Sequence, residues 1–119
     1  MSDDWYARVV ISITDMDRAL AFYIGRLGFI EAWCFEEAGA RIVQVDRNGC
    51  QLILSNQWPE RAGASRMFVS LDEGPFEAFR AEIAEKGIEA GEGRWGYRLV
   101  VVADPDGNEL WFPFPTQPS

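Results

Sequence analysis

The chain has 119 residues, enough for one domain with a substantial core, and its 48% hydrophobic and 25% charged content is typical of a soluble globular protein. Its 19 acidic and 11 basic residues give a net charge of −8, spread without any block of like charge, which argues against nucleic-acid binding. The chain contains no histidine. This absence excludes histidine-based metal sites and the Ser-His-Asp and Cys-His nucleophile systems.

The two cysteines, Cys34 and Cys50, are too few for a disulfide framework in a chain of this length. We expect both to be reduced and to behave as small buried hydrophobic residues. The start of the chain is acidic, with Asp3 and Asp4, whereas a signal peptide would be basic there, and no apolar run is long enough to span a membrane. The expected location is therefore the cytoplasm.

The first half of the chain predicts one strand, one helix and then three strands. Residues 7–13 form an apolar, β-branched segment suited to a strand, and Asp15 lies within a helix-capping sequence that follows it. Apolar residues then recur at helical spacing until Gly28, which ends the predicted helix. Asn48-Gly49 is a strong hairpin signal between the last two strands. The three strands are predicted at about 29–36, 40–46 and 50–55.

The second half repeats this plan after a polar linker from Asn56 to Ala64. A strand is predicted at 66–72, and a helix at 75–86 begins with Pro75 and ends before Gly87. Three further strands are predicted at 88–91, 97–103 and 109–113.

An internal repeat supports this duplicated plan. Arg8 and Arg66 lie 58 residues apart, as do Ser12 and Ser70, and apolar residues match between them. The sequence therefore predicts a single domain, residues 1–119, built of two βαβββ repeats at 5–57 and 63–115. The expected fold class is α+β, with mixed, mostly antiparallel sheets that curl around a cleft, which is a natural place for a ligand.

Strand alternation predicts which residues face that cleft. Val9, Ile11 and Ile13 are expected beneath the helix, which leaves Arg8, Val10 and Ser12 on the cleft side. By the same rule Phe68 is a cleft residue of the second half. The pairs expected around one centre are Arg8 with Arg66 and Ile53 with Trp111, beside Glu109.

Three segments resemble the vicinal oxygen chelate superfamily, which includes glyoxalase I, extradiol dioxygenases, fosfomycin-modifying enzymes and bleomycin resistance proteins. They are the stretch from Asp15 to Tyr23, the sequence Arg26-Leu27-Gly28-Phe29, and the turn from Asp104 to Asn108. The resemblance covers nearly the whole chain. It implies a glyoxalase-like fold and a homodimer.

Enzymes of that superfamily hold a divalent metal with residues from four strands. The resemblance places those positions at Arg8, Ile53, Arg66 and Trp111, and none of these side chains ligates a metal in the usual way. No cofactor is therefore expected. Trp95-Gly96, the following Arg98 and the last strand resemble the bleomycin resistance branch, whose members bind their drug without a protein-ligated metal and without chemistry.

Aromatic and charged side chains of the expected cleft are the candidate binding groups. Trp33, Trp95 and Trp111 suit stacking on a flat ligand. Arg8 and Arg66 either pair with acids such as Glu109 or bind an anionic group directly. The candidate ligand-binding residues are Arg8, Trp33, Ile53, Arg66, Phe68, Trp95, Arg98, Glu109 and Trp111.

The main functional hypothesis is a metal-free, homodimeric protein that binds and sequesters an aromatic or drug-like small molecule. The alternative is a metal-independent lyase, isomerase or cyclase, in which Arg8 and Arg66 hold an anionic substrate and Glu109 moves a proton. A third hypothesis is a module with a vestigial cleft that binds another protein.

Overall fold

The first half forms a four-stranded sheet with one helix. The computed structural model describes residues 5–115, so the acidic start considered above lies outside the described residues. The elements of the first half are β1 (Val9–Ser12), α1 (Met16–Leu20), β2 (Ile30–Glu37), β3 (Ala40–Arg47) and β4 (Cys50–Ser55), and α1 continues as a π-helical segment, Ala21–Arg26. The strands of this sheet lie in the order β1-β4-β3-β2; β1 is parallel to β4, and the other neighbours are antiparallel.

The second half repeats this topology after a short 3₁₀ turn at Pro59–Arg61. The elements are β5 (Arg66–Phe68), α2 (Glu73–Glu85), β6 (Gly91–Arg94), β7 (Arg98–Ala103) and β8 (Glu109–Pro113). The strand order is β5-β8-β7-β6, with β5 parallel to β8. The expected α+β class and the two βαβββ units are thus confirmed.

One hydrophobic core lies on the helix side of both sheets. It contains alternate residues of the strands together with the inward faces of the helices, as the period of two in a strand requires. Val9, expected in this core, is instead exposed because it lies at the start of an edge strand. Central members of the core are Ile11, Tyr23, Val43, Leu54, Phe76 and Val102. No helix among residues 5–115 is long and apolar enough to cross a membrane.

Several predicted boundaries of strands and helices differ from those in the structure, and three of them do so for local reasons. β5 ends at Phe68, four residues early, because the chain then turns into α2. α2 begins at Glu73, since Pro75 fits within a first turn whose amide groups lack helical partners. β6 lies at 91–94 because the turn after Arg94 sets its register with β7.

The prediction that both cysteines are buried was also wrong. Cys34 is exposed, since every residue of the edge strand β2 is exposed. Cys50 is half-buried, and burial raises the pKa of its thiol.

The turn before β8 joins the two halves. Asn108 is fully buried, and its amide nitrogen donates to the carbonyl of Ser12, 3.0 Å away, and to Asp104. Its amide oxygen accepts from the backbone of Gly63 and of the nearby residue 65. The hydroxyl of Tyr23 donates to the same oxygen of Asp104, Oδ2, at 2.9 Å. One buried turn thereby holds β1, the first helix and the linker.

An ion pair near the C-terminal end of α2 also joins the two halves. Arg47 Nη2 lies 2.8 Å from Glu82 Oε1, and Arg47 also donates to the carbonyl of Leu27. Hydrogen bonds from Arg47, with help from Lys86, lower the pKa of the Glu82 carboxyl.

Candidate functional site

Four aromatic side chains form a cluster on the face of the second sheet that lies away from the helices. The ring centre of Phe68 is 5.8 Å from that of Trp95 and 5.7 Å from that of Tyr97. Trp95 also contacts Trp111, with ring centres 5.5 Å apart. These distances are typical of favourable tilted aromatic pairs. Trp95 keeps 61% of its surface exposed, so the cluster offers ring surface to a ligand.

A tight turn presents two of these rings. Trp95-Gly96-Tyr97 connects β6 to β7, and the amide of Trp95 donates to the carbonyl of Tyr97 at 3.0 Å. Gly96 takes a φ of +71°, a left-handed conformation that glycine adopts without a steric penalty. The turn therefore aims both neighbouring side chains at the sheet face.

Gly91 leaves bare backbone on the same face as this cluster. Phe68, Trp111, Val101 and Gly91 are direct partners across the four strands, so they form one row on the same face. A β-carbon at Gly91 would meet no other atom within 4 Å. The row thus runs from bulky rings to open space.

The equivalent row of the first sheet has a different chemistry. It consists of Val10, Ile53, Gln44 and Trp33, again direct partners across four strands. Gln44 is only 4% exposed, and its Oε1 accepts from Arg8 Nη1 at 2.7 Å and from Trp33 Nε1 at 2.8 Å. A buried amide therefore fixes the positions of a guanidinium and an indole ring.

Arg66 occupies the position equivalent to Arg8 but has a charged partner. Its Nε lies 3.0 Å from Glu109 Oε1, an oxygen that also accepts from Trp111 Nε1 at 2.8 Å. Of the two arrangements left open by the sequence, the structure shows Arg66 paired with an acid. Arg8 has an uncharged amide as its partner instead.

The structure brings the predicted residues together in two groups rather than one. Among residues 5–115, the side-chain contacts of Arg8 stay within the first half and those of Arg66 within the second. Arg98 belongs to neither group, because it shares the helix-side face of β7 with Val100 and Val102. Its guanidinium lies 4.1 Å from the ring of Phe114. The first group contains Arg8, Trp33 and Ile53, and the second contains Arg66, Phe68, Trp95, Glu109 and Trp111.

Sequence reasoning missed Gln44, Tyr97 and the glycines of β6. Gln44 is a polar residue between Val43 and Val45, and that isolation in an apolar strand was the available signal. Tyr97 adjoins Trp95-Gly96, so the turn could have suggested a second aromatic side chain at the site.

A cavity of about 360 Å³ lies between the halves, away from the first row. Its walls are mostly apolar, and Phe68 is the member of the aromatic cluster that reaches it. Other lining residues are Leu27, Phe29, Val69, Leu71, Phe79 and Phe112.

The family model of the Glyoxalase/Bleomycin resistance protein/Dioxygenase superfamily matches residues 5–112. The chain belongs to this superfamily. No match was found among proteins with curated functions.

Solved structures of the same superfamily support the fold. TnmS3, an antibiotic binding protein from Streptomyces sp. CB03234, is 24% identical with a TM-score of 0.74, and the match covers 100% of both chains. A glyoxalase/bleomycin resistance protein from Catenulispora acidiphila DSM 44928 is 26% identical, with a TM-score of 0.71 over 92% of this chain and 97% of the other. A lactoylglutathione lyase from Agrobacterium tumefaciens is 17% identical, with a TM-score of 0.71 over 94% and 95%. The same fold thus occurs both in an antibiotic binding protein and in an enzyme.

The metal of the superfamily's enzymes does not fit the side chains found at its expected positions. Arg8 and Arg66 are cationic, Ile53 has no donor atom, and the indole nitrogen of Trp111 donates to Glu109. Among residues 5–115, no three histidine, cysteine, aspartate or glutamate side chains are grouped so as to hold a metal ion. The side chains at these four positions therefore offer no ligands for that metal.

Proposed function

We propose that this superfamily member binds and sequesters a flat aromatic small molecule on the open faces of its sheets, without a metal held by the protein. The observation that carries this proposal is the exposed aromatic cluster of Phe68, Trp95, Tyr97 and Trp111 beside the bare backbone of Gly91. Ring surface next to open floor suits a planar ligand, since aromatic pairs contribute about 0.5–1.5 kcal/mol each beyond the area they bury.

The antibiotic-binding neighbour supports a drug-like ligand. TnmS3 is described as an antibiotic binding protein, and its match covers the whole of both chains. At 24% identity this match supports the fold alone. A bleomycin-resistance type of function therefore enters only as part of our proposal for this chain.

We include a homodimer in this proposal because the open faces leave large apolar side chains in solvent. Val10, Ile30 and Phe35 are exposed on the first sheet. Val10 lies on the edge strand β1, and Ile30 and Phe35 lie on the opposite edge strand β2. Exposed apolar surface of this kind marks interaction sites, and a second copy placed over the sheet would close a cleft on both sides. Sedimentation velocity tests this part of the proposal: a dimer at micromolar concentration is expected, and a monomer would contradict it.

A cytoplasmic location is also part of the proposal. Cys34 and Cys50 are free thiols, and the exposed Cys34 suits a reducing compartment.

Intrinsic tryptophan fluorescence tests ligand binding directly. We would titrate the protein with metal-free bleomycin and with a panel of flat aromatic compounds, acidic and neutral. Saturable quenching at one ligand per chain is expected for at least one compound. Trp111→Ala and Trp95→Ala should abolish it, because both rings belong to the cluster.

The matched control is Trp58→Phe, which changes a half-exposed tryptophan that stacks on Arg61 beside the linker turn. This variant should bind like the wild type. The absence of quenching by every compound in the panel would contradict the proposed function. Quenching that survives Trp111→Ala with unchanged affinity would contradict it as well.

A further inference from the structure

The two equivalent arginines differ in the charge of their partners. Arg66 is neutralised by the Glu109 carboxylate at 3.0 Å, whereas Arg8 is held by the uncharged amide of Gln44 at 2.7 Å. Within residues 5–115, none of the ion pairs involves Arg8. We propose that Arg8 binds the anionic group of a ligand on the open face of the first sheet, that Gln44 is its positioning residue, and that the ligand is an aromatic molecule with one acidic substituent such as a carboxylate or phenolate.

The geometry of Gln44 explains why it can position Arg8. Its Oε1 accepts two hydrogen bonds, and its Nε2 donates to Asp46 Oδ1 at 2.9 Å, so the buried amide cannot rotate without breaking all three. Asp46 is an acid on this face; its Oδ1 accepts from the amide nitrogen of Gln44, and within residues 5–115 it forms no ion pair with Arg8. A fixed guanidinium loses less side-chain entropy when it binds a ligand.

The surroundings of Arg8 select for a ring attached to the anion. Trp33, held by the same oxygen of Gln44, keeps 40% of its surface exposed, and the Tyr6 ring lies 5.4 Å from the Arg8 guanidinium. Within residues 5–115, Nη1 is the only guanidinium nitrogen of Arg8 that donates a hydrogen bond. A planar guanidinium with its other donors available there matches a carboxylate, while the rings match an aromatic body. The chain as a whole carries a charge of −8 and repels anions, so a preference for the acid must come from a local cation.

This inference rests on the proposed function, and a pair of isosteric probes separates the two. The probes are 2-naphthoate and its neutral counterpart 2-naphthamide, titrated by tryptophan fluorescence and by calorimetry at low salt. The wild type should bind the acid about tenfold more tightly than the amide, as expected for a hydrogen bond to a charged group. Added salt should weaken this preference.

Two variants remove the charge of the site in different ways. Arg8→Gln deletes the cation. Gln44→Glu keeps an oxygen acceptor for Arg8 and neutralises its charge, but it loses the hydrogen bond to Asp46. Each should reduce the preference, which is the ratio of the affinities for acid and amide measured in the same variant, to about twofold or less. The controls Arg61→Gln and Gln57→Glu make the same changes of charge on exposed residues outside the two rows and should retain the full preference.

Each outcome decides one of the two claims. Equal binding of acid and amide by the wild type, or a preference that survives Arg8→Gln, overturns the inference while the proposed function stands. Failure of both probes and of the whole aromatic panel overturns both. Circular dichroism reports whether the variants fold; if the buried Gln44→Glu change prevents folding, the exposed Arg8→Gln variant decides the matter.

Discussion

Asn108→Ala should strongly destabilise the protein because it removes a buried link between the two halves. The side chain makes four hydrogen bonds of 2.9–3.1 Å: it donates to Ser12 and Asp104 and accepts from the amides of Gly63 and Ser65. It is fully buried, so water does not replace these bonds. At about 1 kcal/mol for each bond that is lost, the free energy of unfolding should fall by about 4 kcal/mol.

For a domain of this size, that loss lowers the melting temperature by roughly 10–20 °C. Urea and thermal unfolding, followed by tryptophan fluorescence and circular dichroism, measure both quantities. The matched control is Thr14→Ala, which removes a bond of 2.6 Å to Asp106 in the same turn but at an exposed position. Thr14→Ala should cost less than about 1 kcal/mol. An equal, small loss for both variants would refute the assignment of Asn108 as the buried link.

Three further predictions follow from packing and titration. The pKa of Glu82 lies below its ordinary value of 4.5, so its ion pair stabilises the fold above that pH, and this stability is lost as the pH falls through the lowered pKa. Glu82→Gln should therefore make acid unfolding less steep below about pH 4.5, and a parallel acid-unfolding curve would contradict this. Iodoacetamide at about pH 8 should modify the exposed Cys34 before Cys50, whose pKa is raised by burial, as peptide mass spectrometry would show. Gly63→Ala should destabilise more than Gly39→Ala by at least about 1 kcal/mol in urea unfolding, because both have positive φ but only the former places a β-carbon 2.5 Å from a backbone oxygen. Equal losses would show that the linker relaxes around the added carbon.

Local signals in the sequence were sufficient for the order of the elements along the chain. The repeat and the Asn48-Gly49 hairpin predicted the order of the elements, and Asn48 takes the positive φ of +53° that this turn favours. The π-helical segment was not predicted, because its hydrogen bond from Leu27 to Phe22 spans one residue more than an α-helical bond and leaves no local sequence signal. The position of β6 likewise depends on its pairing with β7, which the weak local sequence does not encode.

Which residues form the site on the first sheet depends on a shift of strand register, which the alternation of side chains along a strand does not reveal. The pairing of β2 with β3 shifts between Glu31 and Trp33, as in a β-bulge. With regular pairing Trp33 would lie opposite Val43, on the core face, whereas the shift places it opposite Gln44. The contact between Trp33 and Gln44, and with it the arrangement around Arg8, therefore becomes visible only once the strand register is known.

The two rows also determine whether the two halves bind a ligand equally. At equivalent positions, a smaller residue of one half matches a larger residue of the other: Val10 with Phe68, Ile53 with Trp111, and Gly91 with Trp33. A duplicated protein with identical halves would offer two equivalent faces of equal affinity. Here the divergence of the halves removes that equivalence, so the two faces should prefer different ligands.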